Sequence, residues 1–248
     1  MDTFRRLFLV AALAGLISGV FVTFVHQVST TPLILAAEVY ENGGEATVVP
    51  PVVAEATEGE TTTHTHADGA THEHSTEAWS PADGLERSIA TAIADVFIGI
   101  GFSLLLVAAY RIWGGQMTWR TGLYWGLAGF TAVVAAPDLG LPPEVPGTEA
   151  APLLDRQIWW VATAVLTAAG LGMIFLGKRS WSAAAGLLLI VLPHAYGAPM
   201  PAEHMSAAPE ALAHRFVVAA TIAGLMFWAV LGTATGYFYH RVFKDAQG

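Results

Sequence analysis

Six long apolar runs decide what this chain can fold into. An α-helix needs about 20 predominantly apolar residues to cross a bilayer, and each run approaches or exceeds that length. The runs cover residues 7–25, 88–110, 119–136, 157–176, 182–198 and 214–239. Only 12% of the 248 residues are charged, about half the usual fraction of a soluble domain. The sequence therefore predicts an all-α fold, a polytopic membrane helix bundle with about six transmembrane helices.

A long polar segment, residues 36–86, separates the first two runs. It is rich in Thr, Glu, Ala and His and poor in aromatic and bulky apolar residues, a composition typical of disorder. We therefore predict one integral membrane domain over residues 1–248, with a disordered His/Glu-rich loop at 36–86 between helices 1 and 2. The basic start at Arg5 and Arg6 would also suit a signal peptide. Because the following run is long for a signal peptide, we predict an uncleaved helix.

The distribution of Lys and Arg predicts the orientation. With a cytoplasmic N-terminus, eight of these residues fall on the inner side and three on the outer side. The inner set is Arg5, Arg6, Arg111, Arg120, Lys178, Arg179, Arg241 and Lys244, and the outer set is Arg87, Arg156 and Arg215. Basic residues concentrate on the cytoplasmic side of membrane proteins. We therefore predict a multi-pass protein of the bacterial inner membrane, with both termini cytoplasmic and the 36–86 loop periplasmic.

Several function classes find no support in the sequence. Without cysteine, neither disulfides nor thiolate metal sites can form. The chain contains no Walker A, HExxH, GxSxG or CxxC motif, so we predict that it is not an enzyme and has no catalytic residues. No basic patch lies outside the short membrane flanks, which argues against a nucleic-acid partner. Membrane lipid is the predicted surrounding.

Acidic and histidine side chains gather on the predicted outer side. Seventeen of the 20 Asp and Glu residues, and eight of the nine His residues, lie outside or at the outer membrane edge. An acidic surface attracts cations, and imidazoles among carboxylates can coordinate borderline divalent metals. Solvation of the outer loops would explain the carboxylates but not the histidines. The pattern therefore favours handling of a divalent metal over a purely structural role.

The densest cluster of candidate ligands is HTHADGATHEH, residues 64–74. It holds two His-x-His pairs, and in an extended backbone the two side chains of each pair point to one face. A His-rich tract is a compositional signal of metal binding. The candidate ligands are His64, His66, His72 and His74. Chance enrichment within a biased loop is the alternative interpretation.

Three further candidates, His26, Asp138 and His194, end predicted helices on the outer side. The C-terminal end of a helix carries the negative end of its dipole and favours cations. His194 lies in LPHAYGAPMPAEH, residues 192–204, where a hydrogen bond to a carbonyl freed by Pro193 is the structural alternative. With two more histidines, these residues form the predicted entrance site: His26, Asp138, His194, His204 and His214.

Asp95 lies one or two turns inside the second span. A carboxylate at that depth must face the bundle interior or water. We predict that it lies on the path inward, with proton uptake or capping of a neighbouring helix as alternatives. Other candidates for the outer mouth are Glu86, Arg87, Glu144, Asp155, Arg156, Glu203 and Arg215.

Two patterns concern helix packing. The pairs Gly15/Gly19, Gly122/Gly126 and Gly232/Gly236 suit close contact between helices in lipid. The exits of spans 3 and 5, PDLGLPPE and PHAYGAPMPAE, look alike. Spans 2–3 and 4–5 are therefore a candidate parallel repeat.

Seven stretches of the sequence are distinctive in combination. They are FRRLFLVAALAGL, EAWSPADGLER, GLYWGLAGF, LGLPPEVPG, RQIWW, LPHAYGAPMPAEH and AHRF. Together they resemble the CbtA family, over essentially the whole chain except residues 41–76. CbtA proteins are proposed cobalt transporter subunits, inferred from their association with cobalamin biosynthesis. The family is usually given five spans, but the charge distribution here favours six, because five would place one terminus on the wrong side.

The resemblance implies that Co²⁺, or a similar divalent metal, is the transported ion and that no cofactor is bound permanently. It also implies a small single-span partner with a histidine-rich end, similar to CbtB. We therefore predict an inner-membrane cobalt transport subunit that captures the ion on the periplasmic side through His and carboxylates. One alternative is a haem or quinone protein in which His26 and His194 ligate a cofactor. Another is a non-transporting scaffold subunit of a membrane complex.

Overall fold

The computed structural model describes residues 2–41, 43, 81–201 and 205–243, and every regular element in these ranges is helical. The elements are α1 (Asp2–Val28), α2 (Thr31–Glu41), α3 (Leu85–Trp113), α4 (Trp119–Phe130), a π-helical turn (Thr131–Ala135), α5 (Ala136–Asp138), α6 (Leu153–Leu176), α7 (Ser182–Tyr196) and α8 (Glu210–Phe243). The predicted all-α class is confirmed.

Four of these helices are long and apolar enough to cross a membrane. They are the helical stretches Thr3–Val28, Leu85–Trp113, Leu153–Leu176 and Glu210–Phe243. α7 is apolar but has only 15 residues, and it ends where Gly197 adopts a positive φ of 96°. α4 has 12 residues and continues directly into the π-helical turn and α5. The helices are consistent with the predicted membrane protein, but six spans are not confirmed, because only four helices in the described ranges reach the full length.

The centre of the bundle consists of α1, α3, α4 and α8, which pack through the predicted glycine pairs. A Cβ at Gly19 of α1 would lie 2.5 Å from the Cα of Val96 in α3. A Cβ at Gly122 of α4 would lie 2.8 Å from the Cα of Gly236 in α8. Both distances are too short for any side chain, so these crossings require glycine. The prediction of close helix packing at these pairs is confirmed.

α6 and α7 form a separate hairpin beside this centre. The two helices meet at Gly170 and Gly186, where a Cβ on either residue would lie 2.5 Å from the other's carbonyl oxygen. α6 also contacts α4, the π-helical turn and α5. In contrast, α3 packs on α1 and α8, and α4 packs on α8. The helix pairing therefore differs between the two candidate repeats.

A proline explains the irregular end of the α4 region. Pro137 has no amide hydrogen, and its ring clashes with the carbonyl four residues earlier in a regular α-helix. The backbone widens into the π-helical turn over the residues just before it. The side chain of Thr131 takes the carbonyl of Leu127 as an acceptor at 2.9 Å. The chain thereby reaches Asp138 without losing its helical direction.

The short helix α2 corrects the predicted loop boundary. We expected a loop over residues 36–86, but the helix continues to Glu41. Its Ala37 is fully buried in a small apolar cluster with Val145, Ala208 and Phe216. Burial of apolar surface against other parts of the chain stabilises this helix, and a reading of local composition does not include that term. The rest of the predicted loop, residues 44–80, lies outside the described residues.

The α2 cluster also gathers the helix ends that the charge distribution assigns to one side. We call this the outer end: the C-terminal turns of α1, α5 and α7, the N-terminal turns of α3, α6 and α8, and α2. The loops between them meet in a short antiparallel bridge between Thr148 and Ser206. The four described residues of the predicted entrance site lie in or beside these turns, and Asp95, predicted for the path inward, lies within three turns of them.

Candidate functional site

The structure brings together two predicted ligands, His26 of α1 and Asp95 of α3. Nδ1 of His26 lies 3.2 Å from Oδ2 of Asp95. Thr23, one turn before His26, has its hydroxyl oxygen 2.9 Å from the same Oδ2 and 2.9 Å from the carbonyl oxygen of Gly19. The Thr23 hydroxyl has a single hydrogen, so it can donate fully to only one of these two oxygens at a time. The sequence analysis assigned His26 to the entrance and Asp95 to the inward path, and they form one pair.

The close crossing of α1 and α3 produces this pair. Gly19 lies against Asp95 and Val96 with no room for a side chain, so the two backbones approach each other directly. On α1, Thr23 and His26 follow Gly19 at helical spacing and face the same neighbour. Packing, rather than a linear motif, therefore places the imidazole beside the carboxylate.

Asp95 is a buried carboxylate in an apolar helix. Its residue is 8% exposed, whereas the side chain of His26 is 30% exposed. An unpartnered carboxylate at such a depth is expensive, and the contacts to Thr23 and His26 offset part of that cost. A histidine that ligates a metal usually directs its other ring nitrogen to a carboxylate. With Nδ1 turned to Asp95, the remaining nitrogen Nε2 of His26 is the one that suits a metal.

His26 lines a cleft of about 570 Å³ at the outer end. The cleft opens between α1, α2, α3 and α8, and Asp95 lies behind His26 as seen from it. Its walls consist of His26, Gln27, Thr30, Thr31, Ile34, Leu35, Asp83, Gly84, Arg87, Ser88, Thr91, Phe216 and Ala220. The cleft is large enough for several water molecules or a hydrated ion. It gives the His26–Asp95 pair access from one side of the bundle.

An arginine with two carboxylate partners stands in the wall of this cleft. Nη1 of Arg87 lies 3.1 Å from Oε2 of Glu38 and 2.9 Å from Oδ1 of Asp83, and Nη2 contacts the other oxygen of Glu38. Glu86, the acidic residue next to Arg87 in the sequence, is not its partner, because adjacent helical residues do not face each other. The pairing joins α2 to the first turn of α3.

Arg87, Thr91 and Asp95 lie on one face of α3, because they are four residues apart. Arg87 and Thr91 line the cleft, and Asp95 is buried one turn further on. This face therefore leads from the ion pair to the buried carboxylate. Thr23, Glu38 and Thr91 were missed by the sequence analysis, although the four-residue spacing from Arg87 to Asp95 would have identified Thr91.

Asp138 lies elsewhere at the outer end, just beyond the apolar run 119–136. Its Oδ2 accepts a hydrogen bond from Thr221 of α8 at 3.4 Å. The carboxylate thus anchors the end of α5 to α8, apart from the His26–Asp95 pair.

His194 occupies a different environment on the α6–α7 hairpin. Its ring packs edge-on against Trp159, with the ring centroids 5.7 Å apart. Nε1 of Trp159 donates to the carbonyl oxygen of Pro193 at 3.3 Å. Nε2 of His194 is buried and has no hydrogen-bond partner within the described ranges, so the predicted bond to a freed carbonyl is not found at this nitrogen. His26 and His194 belong to separate helix pairs.

The remaining outer candidates are dispersed. His214 is exposed in the first turns of α8, as are Glu86, Asp155 and Arg215 in their helices. Arg156 pairs with Glu144 at 3.3 Å rather than with its neighbour Asp155. In the part of the chain that the structure describes, no group of three or more His, Asp or Glu residues could hold a metal ion.

Six predicted ligands or mouth residues fall outside the described ranges. They are His64, His66, His72, His74, Glu203 and His204. The His26–Asp95 pair therefore offers one metal-binding atom, Nε2 of His26, with Asp95 as its orienting partner. Any further ligands would be water, other side chains of the cleft wall or residues beyond those described.

Of three comparisons with known proteins, one assigns the chain to a family. No curated protein and no solved structure matches it. A family model described as "Probable cobalt transporter subunit (CbtA)" matches residues 4–240. This range includes all eight helices except the first two and last three helical residues. With nearly its whole length matched, the chain belongs to the CbtA family of probable cobalt transporter subunits.

Proposed function

We propose that this chain admits Co²⁺ from the periplasmic side through the outer cleft, and that His26 binds the ion through Nε2 on its way inward while Asp95 orients the imidazole. The observation that carries the proposal is the His26–Asp95 contact at 3.2 Å, with the carboxylate buried and the imidazole lining an open cleft. A buried ionisable pair inside a membrane helix bundle is costly to maintain and is typical of a functional site.

The chemistry of the pair suits cobalt. Imidazole nitrogen binds first-row divalent metals well, and a carboxylate adds charge compensation. Mg²⁺ prefers oxygen ligands and retains its water, so it fits this pair less well. The small number of protein ligands also suits transport, since a transported ion must leave the site again. Water, Gln27 and Thr30 in the cleft wall would complete the coordination.

The other outer residues would serve capture rather than binding on the path. The acidic and histidine-rich outer side raises the local concentration of cations. His64, His66, His72 and His74 would collect ions in the periplasm, while Asp138, His194, His204 and His214 would contribute transient contacts at the mouth. Loss of any one of these capture residues is expected to matter less than loss of His26.

The proposal includes an arrangement in the inner membrane. We place both termini in the cytoplasm and count six spans, with α4 to α5 and α7 as the two shorter ones. The gathering of the outer helix ends supports this count, since the helices alternate in direction. α7 packs on α6 and leaves Leu187, Leu188 and Val191 exposed. Lipid or a single-span, CbtB-like partner subunit would cover that surface.

The test is uptake of radioactive cobalt in cells that express the chain with its partner. His26→Gln and Asp95→Asn are expected to lower the initial rate about tenfold or more, the usual effect of removing a ligand or the carboxylate that orients it. Ser103→Ala is the matched control, because it removes a buried hydrogen bond, to Thr235 at 2.9 Å, away from the pair. All variants are compared at equal membrane abundance.

Two outcomes would contradict the proposal. Normal uptake in both His26→Gln and Asp95→Asn would remove the pair from the path and favour the scaffold alternative. A visible chromophore in the purified protein, lost in His26→Gln, would favour the haem or quinone alternative instead.

A further inference from the structure

We infer that Arg87, through its ion pairs with Glu38 and Asp83, is a gate that controls passage from the outer cleft, in whose wall His26 lies, to the buried Asp95. The inference rests on the proposed function for its purpose, but it can be tested without any transport. The observations that carry it are the position of Arg87 in the cleft wall, its two carboxylate partners on different elements, and its alignment with Asp95 on α3.

The ion pairs join elements that must separate if the cleft is to widen. Glu38 belongs to the last turns of α2, and Asp83 lies just before α3. Arg87 holds both carboxylates at once, with contacts to both oxygens of Glu38 and to Asp83 at 2.9 Å. Two parallel bonds between guanidinium and carboxylate fix the geometry as well as the distance. The pairing thus fastens α2 to the first turn of α3 beside the cleft.

Burial makes this pairing stronger than an ordinary surface ion pair. The side chains of Arg87 and Glu38 are 32% and 26% exposed, whereas that of Asp83 is 78% exposed. Exposed pairs contribute little to stability, so the Glu38 contact is the principal one and Asp83 is an accessory. The apolar cluster of Ala37 and Phe216 keeps α2 close enough for the contact to re-form.

The electrostatics suit a gate that a divalent cation can open. One guanidinium and two carboxylates leave a net charge of −1 at the mouth, which attracts cations. A divalent ion competes with the guanidinium for the same carboxylate oxygens. When Arg87 loses Glu38, its side chain can leave the face of α3 that leads through Thr91 to Asp95. The entering ion thereby releases the contact that limits how far the cleft can widen toward Asp95.

The chain offers a direct probe of access because it contains no cysteine. Thr91→Cys places a single thiol in the cleft wall one turn beyond Arg87. A membrane-impermeant thiol reagent is added to intact cells. The rate at which it modifies this thiol reports how often the cleft is wide enough for the reagent to reach its wall. Adding Glu38→Gln is expected to raise this rate about fivefold, as removal of a partly exposed ion pair shifts an open–closed equilibrium.

Two further variants make the test specific. Glu86→Gln is the matched control: it removes the same charge one residue from Arg87, but Glu86 is exposed and is not a partner of Arg87. It is expected to leave the labelling rate of Thr91→Cys unchanged. The exchanged pair Glu38→Arg with Arg87→Glu restores the attraction with reversed charges and is expected to return the rate toward that of Thr91→Cys alone.

Three results would overturn the gate. They are equal labelling with and without Glu38→Gln, an equal increase with Glu86→Gln, and no labelling of Thr91→Cys in any variant. None of these readouts uses cobalt. Absent cobalt uptake in the wild type, together with faster labelling in Glu38→Gln, would reject the proposed function and leave the gate in place. If uptake depends on His26 but Thr91→Cys is labelled equally with and without Glu38→Gln, the gate is rejected and the proposed function stands.

Discussion

Two histidines at the outer end, His26 and His194, look equivalent in the sequence and differ in the structure. Each follows an apolar run and lies near the C-terminal end of its helix. His26 faces a buried carboxylate at 3.2 Å and lines a cleft. His194 packs against the indole of Trp159, and its Nε2 is buried without a hydrogen-bond partner in the described ranges.

The difference shows what a metal-binding histidine needs beyond its own position. A neutral imidazole can ligate a metal, but a partner on its second nitrogen fixes the tautomer and the ring orientation. Asp95 supplies that partner to His26 from another helix. Trp159 gives His194 a packing surface instead. We therefore expect the two histidines to respond very differently to substitution.

The largest expected effect concerns metal affinity. In purified protein, His26→Gln and Asp95→Asn are expected to weaken binding of Co²⁺ about tenfold or more, whereas His194→Gln changes it less than about twofold. The measurement is titration with Co²⁺, followed by its visible absorption or by calorimetry. If His194→Gln weakened binding of Co²⁺ as much as His26→Gln, the two histidines would contribute equally to metal binding and the proposed difference between them would be wrong.

The next effect concerns the crossing that creates the pair. Gly19→Ala places a Cβ 2.5 Å from the Cα of Val96, so α1 and α3 must move apart at a cost of about 1–3 kcal/mol. Gly101→Ala is the matched control on α3, since nothing lies within 4 Å of its added Cβ. Denaturant or thermal unfolding in detergent measures both variants. Equal stability of the two would show that the close crossing is not required.

A smaller effect is expected at Thr23. Thr23→Val removes the hydroxyl that lies 2.9 Å from Asp95 while keeping the branched shape. Hydrogen bonds between membrane helices contribute about 0.6 kcal/mol on average, and the same loss is expected here. A double-mutant cycle with Asp95→Asn isolates the interaction. Additive effects in the two single variants would mean that Thr23 and Asp95 are not coupled.

The smallest effect is expected at the His194 site. Trp159→Phe removes the donor to the carbonyl of Pro193, but that carbonyl also accepts from the amide of Gly197 at 3.1 Å. Because the acceptor keeps one partner, the cost is expected to stay below about 1 kcal/mol. Unfolding of Trp159→Phe is compared with that of Trp160→Phe, a neighbouring indole without this bond. A large loss in Trp159→Phe alone would indicate a structural role for the hairpin end.

Much of the fold follows from local patterns in the sequence. The apolar runs predict the long helices, since burial in lipid requires about 20 apolar residues per span. The glycine pairs indicate where helices approach closely, because only a missing side chain permits that distance. The end of α2 at Glu41 depends on tertiary packing and the π-helical turn on Pro137, and the sequence analysis did not predict them.

The sequence by itself determined the long apolar helices and the residue types of the candidate site, and it predicted that acids and histidines concentrate on one side. Only the tertiary structure decided which of these residues meet. His26 and Asp95 are 69 positions apart, and the close crossing of α1 and α3 at Gly19 turns them toward each other. Arg87 likewise contacts Glu38 rather than its sequence neighbour Glu86, because the tertiary structure places Glu38 beside it. Contacts between helices depend on how the helices pack, and that arrangement minimises the free energy of the whole chain rather than of any one segment.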